Sequence, residues 1–166
     1  LGRATYPTHR APLDLPYKDR RIRPVSPESE AFSIVESYIL PGSQMTMTIH
    51  FEMLTSLELS ILLWLLKPEN LVPHSERGKG LVGYLRLGMG KPLGYGTLRV
   101  EATELRLQTG QQLATRYTQL DGCLGTETIR SIDHYQVPDH FEELRWVQAF
   151  QRASFGYTDG IPVRYM

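Results

Sequence analysis

The sequence predicts an α+β fold, and three observations carry that expectation. Met45, Met47, Ile49 and Phe51 alternate strictly with Thr46, Thr48 and His50, the period of a half-buried strand. Thr55-Ser56-Leu57-Glu58 is a capping box opening an apolar run that reaches Leu66. A second alternating stretch runs from Thr97 to Leu107.

The elements follow in order. Residues 1–29 read as a loop-like arm, because Pro7, Pro12, Pro16, Pro24 and Pro27 remove backbone donors and push their preceding residues out of the helical region. Up to Val25, Arg3, Arg10, Lys18, Arg20, Arg21 and Arg23 oppose only Asp14 and Asp19, with Tyr6, His9 and Tyr17 among them. A basic, aromatic, extended arm suits a polyanion with stackable bases. A solvated linker is the plain alternative.

From Ala31 to Phe51 the pattern is that of a hairpin. Phe32, Ile34, Val35, Tyr38 and Ile39 lead into the turn signal Pro41-Gly42-Ser43, and the Met45–Phe51 strand follows. His50 falls on the polar face of that strand. The helix after Thr55 carries Leu57, Ile61, Leu62, Trp64 and Leu65, and Pro68 ends it. So apolar a surface should pack on a sheet.

Leu71 to Lys79 reads as a polar loop, and Gly80 to Gly96 as a glycine-rich loop. Thr97 to Leu107 reads as one strand, bent near Thr103. Strand, strand, helix, glycine loop and strand form the last two thirds of a ferredoxin-like β-α-β-β-α-β unit. Gly110 to Arg130 reads as loop, on the strength of Gly122, Gly125 and several Thr and Gln. Asp139 to Gln151 reads as a helix after Pro138, with Phe141, Leu144, Trp146, Val147 and Phe150 as its apolar stripe. Asp139, Glu142 and Glu143 suit the dipole of its first turn. The expected domains are an arm over 1–29, a ferredoxin-like portion over 30–110 and a C-terminal loop and helix extension over 111–166.

Composition narrows the class. The chain has 166 residues, 41% hydrophobic and 22% charged, which is globular rather than disordered. Its formal net charge is zero, so a charged partner must be met by a patch. Cys123 is the single cysteine, which excludes a disulfide framework and a Cys-rich metal site. No apolar run is long enough to span a bilayer, and no cationic, apolar leader is read at the start. The expected setting is reducing and cytoplasmic. The start at Leu1 and the absence of a first strand and helix suggest a piece of a longer product.

The chemistry concentrates in Leu87-Gly88-Met89-Gly90-Lys91-Pro92-Leu93-Gly94-Tyr95-Gly96. Glycines at this density permit positive φ and expose successive amides, which form an anion-binding concavity. Lys91 adds a mobile charge, and Arg77, Lys79, Arg86 and Arg99 flank the loop. Phosphate is the natural ligand; a tight turn is the plain alternative. A nucleotide P-loop is excluded, because Met89 follows Gly88 where a lysine is required. The dinucleotide fingerprint fails because position 93 is Leu93 and a strand, not a helix, follows.

This Gly-x-Gly-x-x-x-Gly-x-Gly loop resembles the glycine-rich loop of the RAMP superfamily of CRISPR-associated proteins. The string from Leu87 to Gly96 is similar to the LGMGKPLG-G signature of a branch found with type III systems, especially type III-D. Phe51-Glu52-Met53-Leu54 with Glu58-Leu59 and Leu62-Leu63-Trp64 resembles that branch's F-E-N-L-x-x-x-E-L…LLW segment. Leu1-Gly2-Arg3 through Tyr6 and His9 loosely resembles its G-R-K-x-Y-x-H stretch, with Ala4 in place of the lysine. The resemblance covers roughly residues 1–101.

The resemblance implies a RAMP fold and a backbone subunit of a type III effector ribonucleoprotein in prokaryotic antiviral defence. Such subunits hold guide-RNA phosphates while base pairing recognises the target RNA. The implied RNA contacts are Gly88, Met89, Gly90, Lys91, Pro92, Gly94, Tyr95 and Gly96. Arg3, Arg10, Arg20, Arg21 and Arg23 would add secondary contacts, and Tyr6 or His9 would stack on a base. Implied partners are guide RNA, target RNA, other RAMP and large subunits, and a missing N-terminal part of this chain. No cofactor of its own is implied; a divalent metal, magnesium or manganese, enters where the parent complex cleaves RNA. Asp14 and Asp19 are the candidate cleavage residues, weighed against surface carboxylates pairing with Arg20 or Arg21. Asp133-His134 has no nucleophile near it in sequence. Two alternatives stay open: a guide-processing endoribonuclease using His9 or His50, and a structural interaction domain whose glycine loop is only a turn.

Overall fold

The computed structural model describes Thr8 and residues 39–88, 96–118 and 128–156. These residues form a mixed fold with three α-helices and two small antiparallel sheets. The chain divides into two compact units, Pro12–Met53 on one hand and Leu1–Ala11 with Leu54–Met166 on the other.

In the Pro12–Met53 unit the expected turn is present. Gly42 takes φ +86°, and Ser43 N donates to Leu40 O at 3.2 Å. The expected Met45–Phe51 strand is not: these residues lie outside any ladder, and Met45, Met47 and Ile49 are exposed. Alternation specifies which side of a strand is apolar, but a strand forms only where a second one supplies backbone partners. Ala31 to Tyr38 lie outside the described residues.

In the other unit, helix α1 spans Ser56–Leu65 and starts on the expected capping box. Glu58 N donates to Thr55 Oγ1 at 3.3 Å, and Thr55 N donates to Glu58 Oε2 at 2.8 Å. The helix ends before Pro68, as the missing proline amide requires. The core it enters combines Trp64, Leu71, Phe141 and Val147, with Ile61, Leu65, Leu85, Val137 and Phe150 packed around them. Loops and the C-terminal helix therefore cover α1 more than a sheet does. The expected polar loop after it holds Leu71 and Val72, two of the most buried residues, and a 3-10 turn at His74–Glu76. Gly83 is required here, since a β-carbon would land on Leu71, and Gly83 N donates to Pro68 O at 2.9 Å.

Strands β1 (Leu85–Arg86) and β2 (Thr97–Leu98) pair antiparallel, Leu85 with Leu98 and Arg86 with Thr97. Strands β3 (Leu105–Leu107) and β4 (Thr128–Arg130) form the second sheet, Leu105 opposite Arg130 and Leu107 opposite Thr128. The single strand expected over Thr97–Leu107 is thus two short strands in different sheets. Between them Ala102 N donates to Leu66 O at 3.2 Å, drawing the backbone to the end of α1 and breaking the ladder.

Helix α2 (Gly110–Tyr117) replaces part of the loop expected over Gly110–Arg130. Thr109 and Gln112 form a second capping box, Gln112 N to Thr109 Oγ1 at 3.2 Å and Thr109 N to Gln112 Oε1 at 2.9 Å. No residue of α2 is buried, so local caps do more for it than core packing.

Helix α3 runs from Arg145 to Phe155, later than the expected Asp139–Gln151. A 3-10 turn at Phe141–Glu143 precedes it, and Leu144 is extended with ψ 129°. Phe141 explains the interruption: it is buried edge-on against Trp64 and Trp146, with ring centroids 5.2 and 5.5 Å away. Gly156 ends α3 at φ +92° and ψ −174°, a conformation essentially restricted to glycine. Its position is also tight, because a β-carbon there would strike the Thr8 carbonyl. Thr8 N donates to Ala153 O at 3.1 Å, and Tyr84 N to Ser154 O at 3.0 Å, so α3 gathers two distant segments. No helix among the described residues is long and apolar enough to cross a membrane.

Candidate nucleic-acid interface

The glycine-rich segment connects β1 to β2, so a strand precedes it where the sequence suggested continuous loop. Apolar Leu85 explains that strand: it is half-buried against the core while its backbone pairs with Leu98. Beyond the pair, Leu87 N donates to Gly96 O at 2.9 Å and closes the neck of the connection. Gly88 and Gly96 stand on either side of this bond with φ +85° and +69°. They differ sterically. A β-carbon on Gly88 would meet nothing within 4 Å, whereas one on Gly96 would strike the Leu87 carbonyl. Both conformations favour glycine, and Gly96 is further fixed by close backbone approach.

The four flanking cations are spoken for to different degrees. Arg86, on β1, is half-buried, and desolvation lowers its pKa from the ordinary guanidinium range. Arg77 pairs with Glu142, and its Nε donates to Val72 O at 3.3 Å. Lys79 Nζ lies 2.9 Å from Glu76 Oε2. Arg99 Nη2 lies 3.4 Å from Glu101 Oε2 and 4.0 Å from Glu69 Oε1. The Lys79 and Arg99 pairs are largely exposed, so each contributes little to stability and a phosphate can compete for the cation. Glu76 and Glu101 are near Lys79 and Arg99 in sequence, but Glu142 is 65 positions from Arg77, and no local signal pairs them.

Of the residues singled out in the sequence, the structure brings Gly88 and Gly96 together at the neck. Met89, Gly90, Lys91, Pro92, Gly94 and Tyr95 lie outside the described residues. So do Arg3, Tyr6, His9, Arg10, Arg20, Arg21 and Arg23, and the candidate cleavage residues Asp14 and Asp19. His50 is exposed. Asp133 pairs with Lys67 at 3.6 Å, and His134 packs edge-on against Tyr135 with centroids 5.4 Å apart. Among the described residues no three His, Cys, Asp or Glu side chains are grouped to hold a metal ion.

Comparison of the chain with protein-family models, with curated proteins and with solved structures finds no match.

Proposed function

We propose that this chain binds guide RNA as a backbone subunit of a type III RNA-guided effector ribonucleoprotein. On this reading its fold is a ferredoxin-like RAMP unit, its setting the prokaryotic cytoplasm, its role antiviral defence, and its partners guide RNA, target RNA and neighbouring subunits. The observation that carries the reading is the neck at Gly88 and Gly96, both with positive φ, at the two ends of a segment rich in glycine and bearing Lys91. Amides freed of Cβ obstruction suit phosphate oxygens, and contact with phosphates carries no base preference. That suits a subunit which must accept any guide sequence.

A second reading has its own support. Arg77, Lys79 and Arg99 all have carboxylate partners, which favours a structural interaction domain whose glycine segment is a turn.

Co-purification separates the two. The chain is expressed with its genomic neighbours, and RNA eluting with it is sequenced for wild type and for Lys91→Glu combined with Gly94→Asp. Repeat-derived RNA of uniform 5′ end, lost in the double variant, supports the guide-binding role. No RNA, or an equal yield from both, overturns it and leaves the interaction domain. Affinity for RNA should also fall steeply with salt, as phosphate contacts release counterions.

A further inference from the structure

From Ser37 to Phe51 the sequence has no Asp, Glu, Lys or Arg. Within that run Met45, Met47 and Ile49 are 61, 56 and 42% exposed, an apolar series at strand period facing no partner among the described residues. From Gln44 to Met53 no backbone amide or carbonyl among the described residues makes a hydrogen bond to protein. Proteins protect unpaired strand-forming segments with charges, prolines or bulges. Gln44 to Phe51 carries neither charge nor proline.

The segment is complementary to itself. In an antiparallel pair of identical segments, the two positions facing each other have a constant sum. An odd sum sets apolar residues opposite polar ones, and an even sum sets like opposite like. Four even registers place the two-fold axis near the middle; one at Ile49 sets Met45 opposite Met53, whose φ of +57° takes it out of an extended strand. An axis at Met47 leaves Phe51 opposite Ser43, and one at Thr46 leaves Ile49 opposite Ser43. An axis at Thr48 sets Met45 opposite Phe51, Met47 opposite Ile49 and Thr46 opposite His50, matching all four apolar residues in each copy. Glu52 then faces Gln44, so no like charges oppose.

We propose that residues 44–52 pair with the same segment of a second copy of this chain, antiparallel, with the two-fold axis through Thr48. The pairing supplies backbone partners that these residues lack among the described residues, and it brings eight apolar side chains onto one face of the ribbon. A two-stranded ribbon alone is marginally stable, so dimerisation is concentration-dependent. The proposal does not rest on the RNA-binding reading, and its test leaves Lys91 and Gly94 untouched.

The test uses the full chain. Light scattering across a concentration series should show a monomer–dimer equilibrium. Thr48→Lys, which sets two cations face to face, should give monomer at every concentration while keeping a cooperative unfolding transition. Register is read by crosslinking in a Cys123→Ser background. Residues on the axis face each other with β-carbons about 5 Å apart, so Thr48→Cys should crosslink under mild oxidation. The two copies of residue 46 are about 14 Å apart in this register, so Thr46→Cys should not. A wild type monomeric throughout overturns the proposal. So does a dimer indifferent to Thr48→Lys, or crosslinking of Thr46→Cys as fast as that of Thr48→Cys.

Discussion

The indole Nε1 of Trp64 donates to Glu142 Oε1 at 2.8 Å, joining α1 to the turn before α3 across 78 positions of sequence. The same carboxylate pairs with Arg77, and Phe141 beside it lies edge-on to the Trp64 ring. Glu142 thus holds one polar edge of an otherwise apolar core. Glu142→Gln retains an acceptor for the indole but loses the charge that meets Arg77. Glu142→Ala loses both and leaves the part-buried donor without its acceptor, which costs about 1–3 kcal/mol. Chemical unfolding should rank wild type, Gln and Ala in falling stability, with tryptophan emission altered most in Ala. Equal stabilities for Gln and Ala would show that the indole bond contributes nothing.

The two neck glycines should respond differently to the same substitution. Gly88→Ala places a methyl in open space and incurs mainly the left-handed backbone penalty, about 1–2 kcal/mol. Gly96→Ala adds a collision with the Leu87 carbonyl, so the Leu87–Gly96 bond must open. Thermal unfolding should show the larger loss for Gly96→Ala. Amide exchange at Leu87 should accelerate in that variant and change little in Gly88→Ala.

That contrast also marks what was legible in the sequence. Signals local to a few residues came through: the Thr55–Glu58 box, the turn at Leu40–Ser43, and the clustering of glycines that gives Gly88 and Gly96 their positive φ. Signals that depend on distant partners did not. Thr97–Leu107 alternates as one strand would, yet Ala102 is drawn to Leu66 and the ladder divides. Asp139–Gln151 has a helical stripe, yet Phe141 enters the core and its neighbour Glu142 turns to Trp64. The Thr109–Gln112 box follows the same rule as Thr55–Glu58, but no apolar run follows it to mark a helix. For the site, the carboxylate facing Arg77 is set by folding from 65 positions away, whereas Glu101 lies two positions from Arg99 on the same alternating stretch.

Acid should weaken α1 at its start. The Glu58 carboxyl is held below its ordinary pKa, first by the Thr55 backbone N–H and then by the Thr55 hydroxyl. A carboxylate with a folded-state pKa below its unfolded one contributes stability that is full above the unfolded value. That contribution is lost as pH falls through the folded value. The stability difference between wild type and Glu58→Gln should therefore be largest near neutrality and shrink on acidification. Urea midpoints for both proteins at several pH values give the curve, and a difference constant with pH would exclude the charge as the cause.

Thr8 offers the reverse case, a residue whose replacement should stabilise. It is 2% exposed, its amide donates to Ala153 O, and its hydroxyl finds no hydrogen-bond partner among the described residues. Burying a hydroxyl without a partner costs about 1–3 kcal/mol on mutational scales. Valine keeps the branched shape and removes that cost, while the backbone bond to Ala153 needs no side chain. Thr8→Val should raise the unfolding midpoint, and Thr8→Ala should gain less because it leaves part of the space empty. Gly156→Ala acts on the same contact from the other side: it strains φ +92° and drives a β-carbon into the Thr8 carbonyl. It should lower the midpoint by more than Thr8→Val raises it. Combining the two should fall short of the sum of the single effects, because the methyl added at position 156 displaces the segment whose packing the valine improves. Additive effects would show that Thr8 and Gly156 do not share one contact.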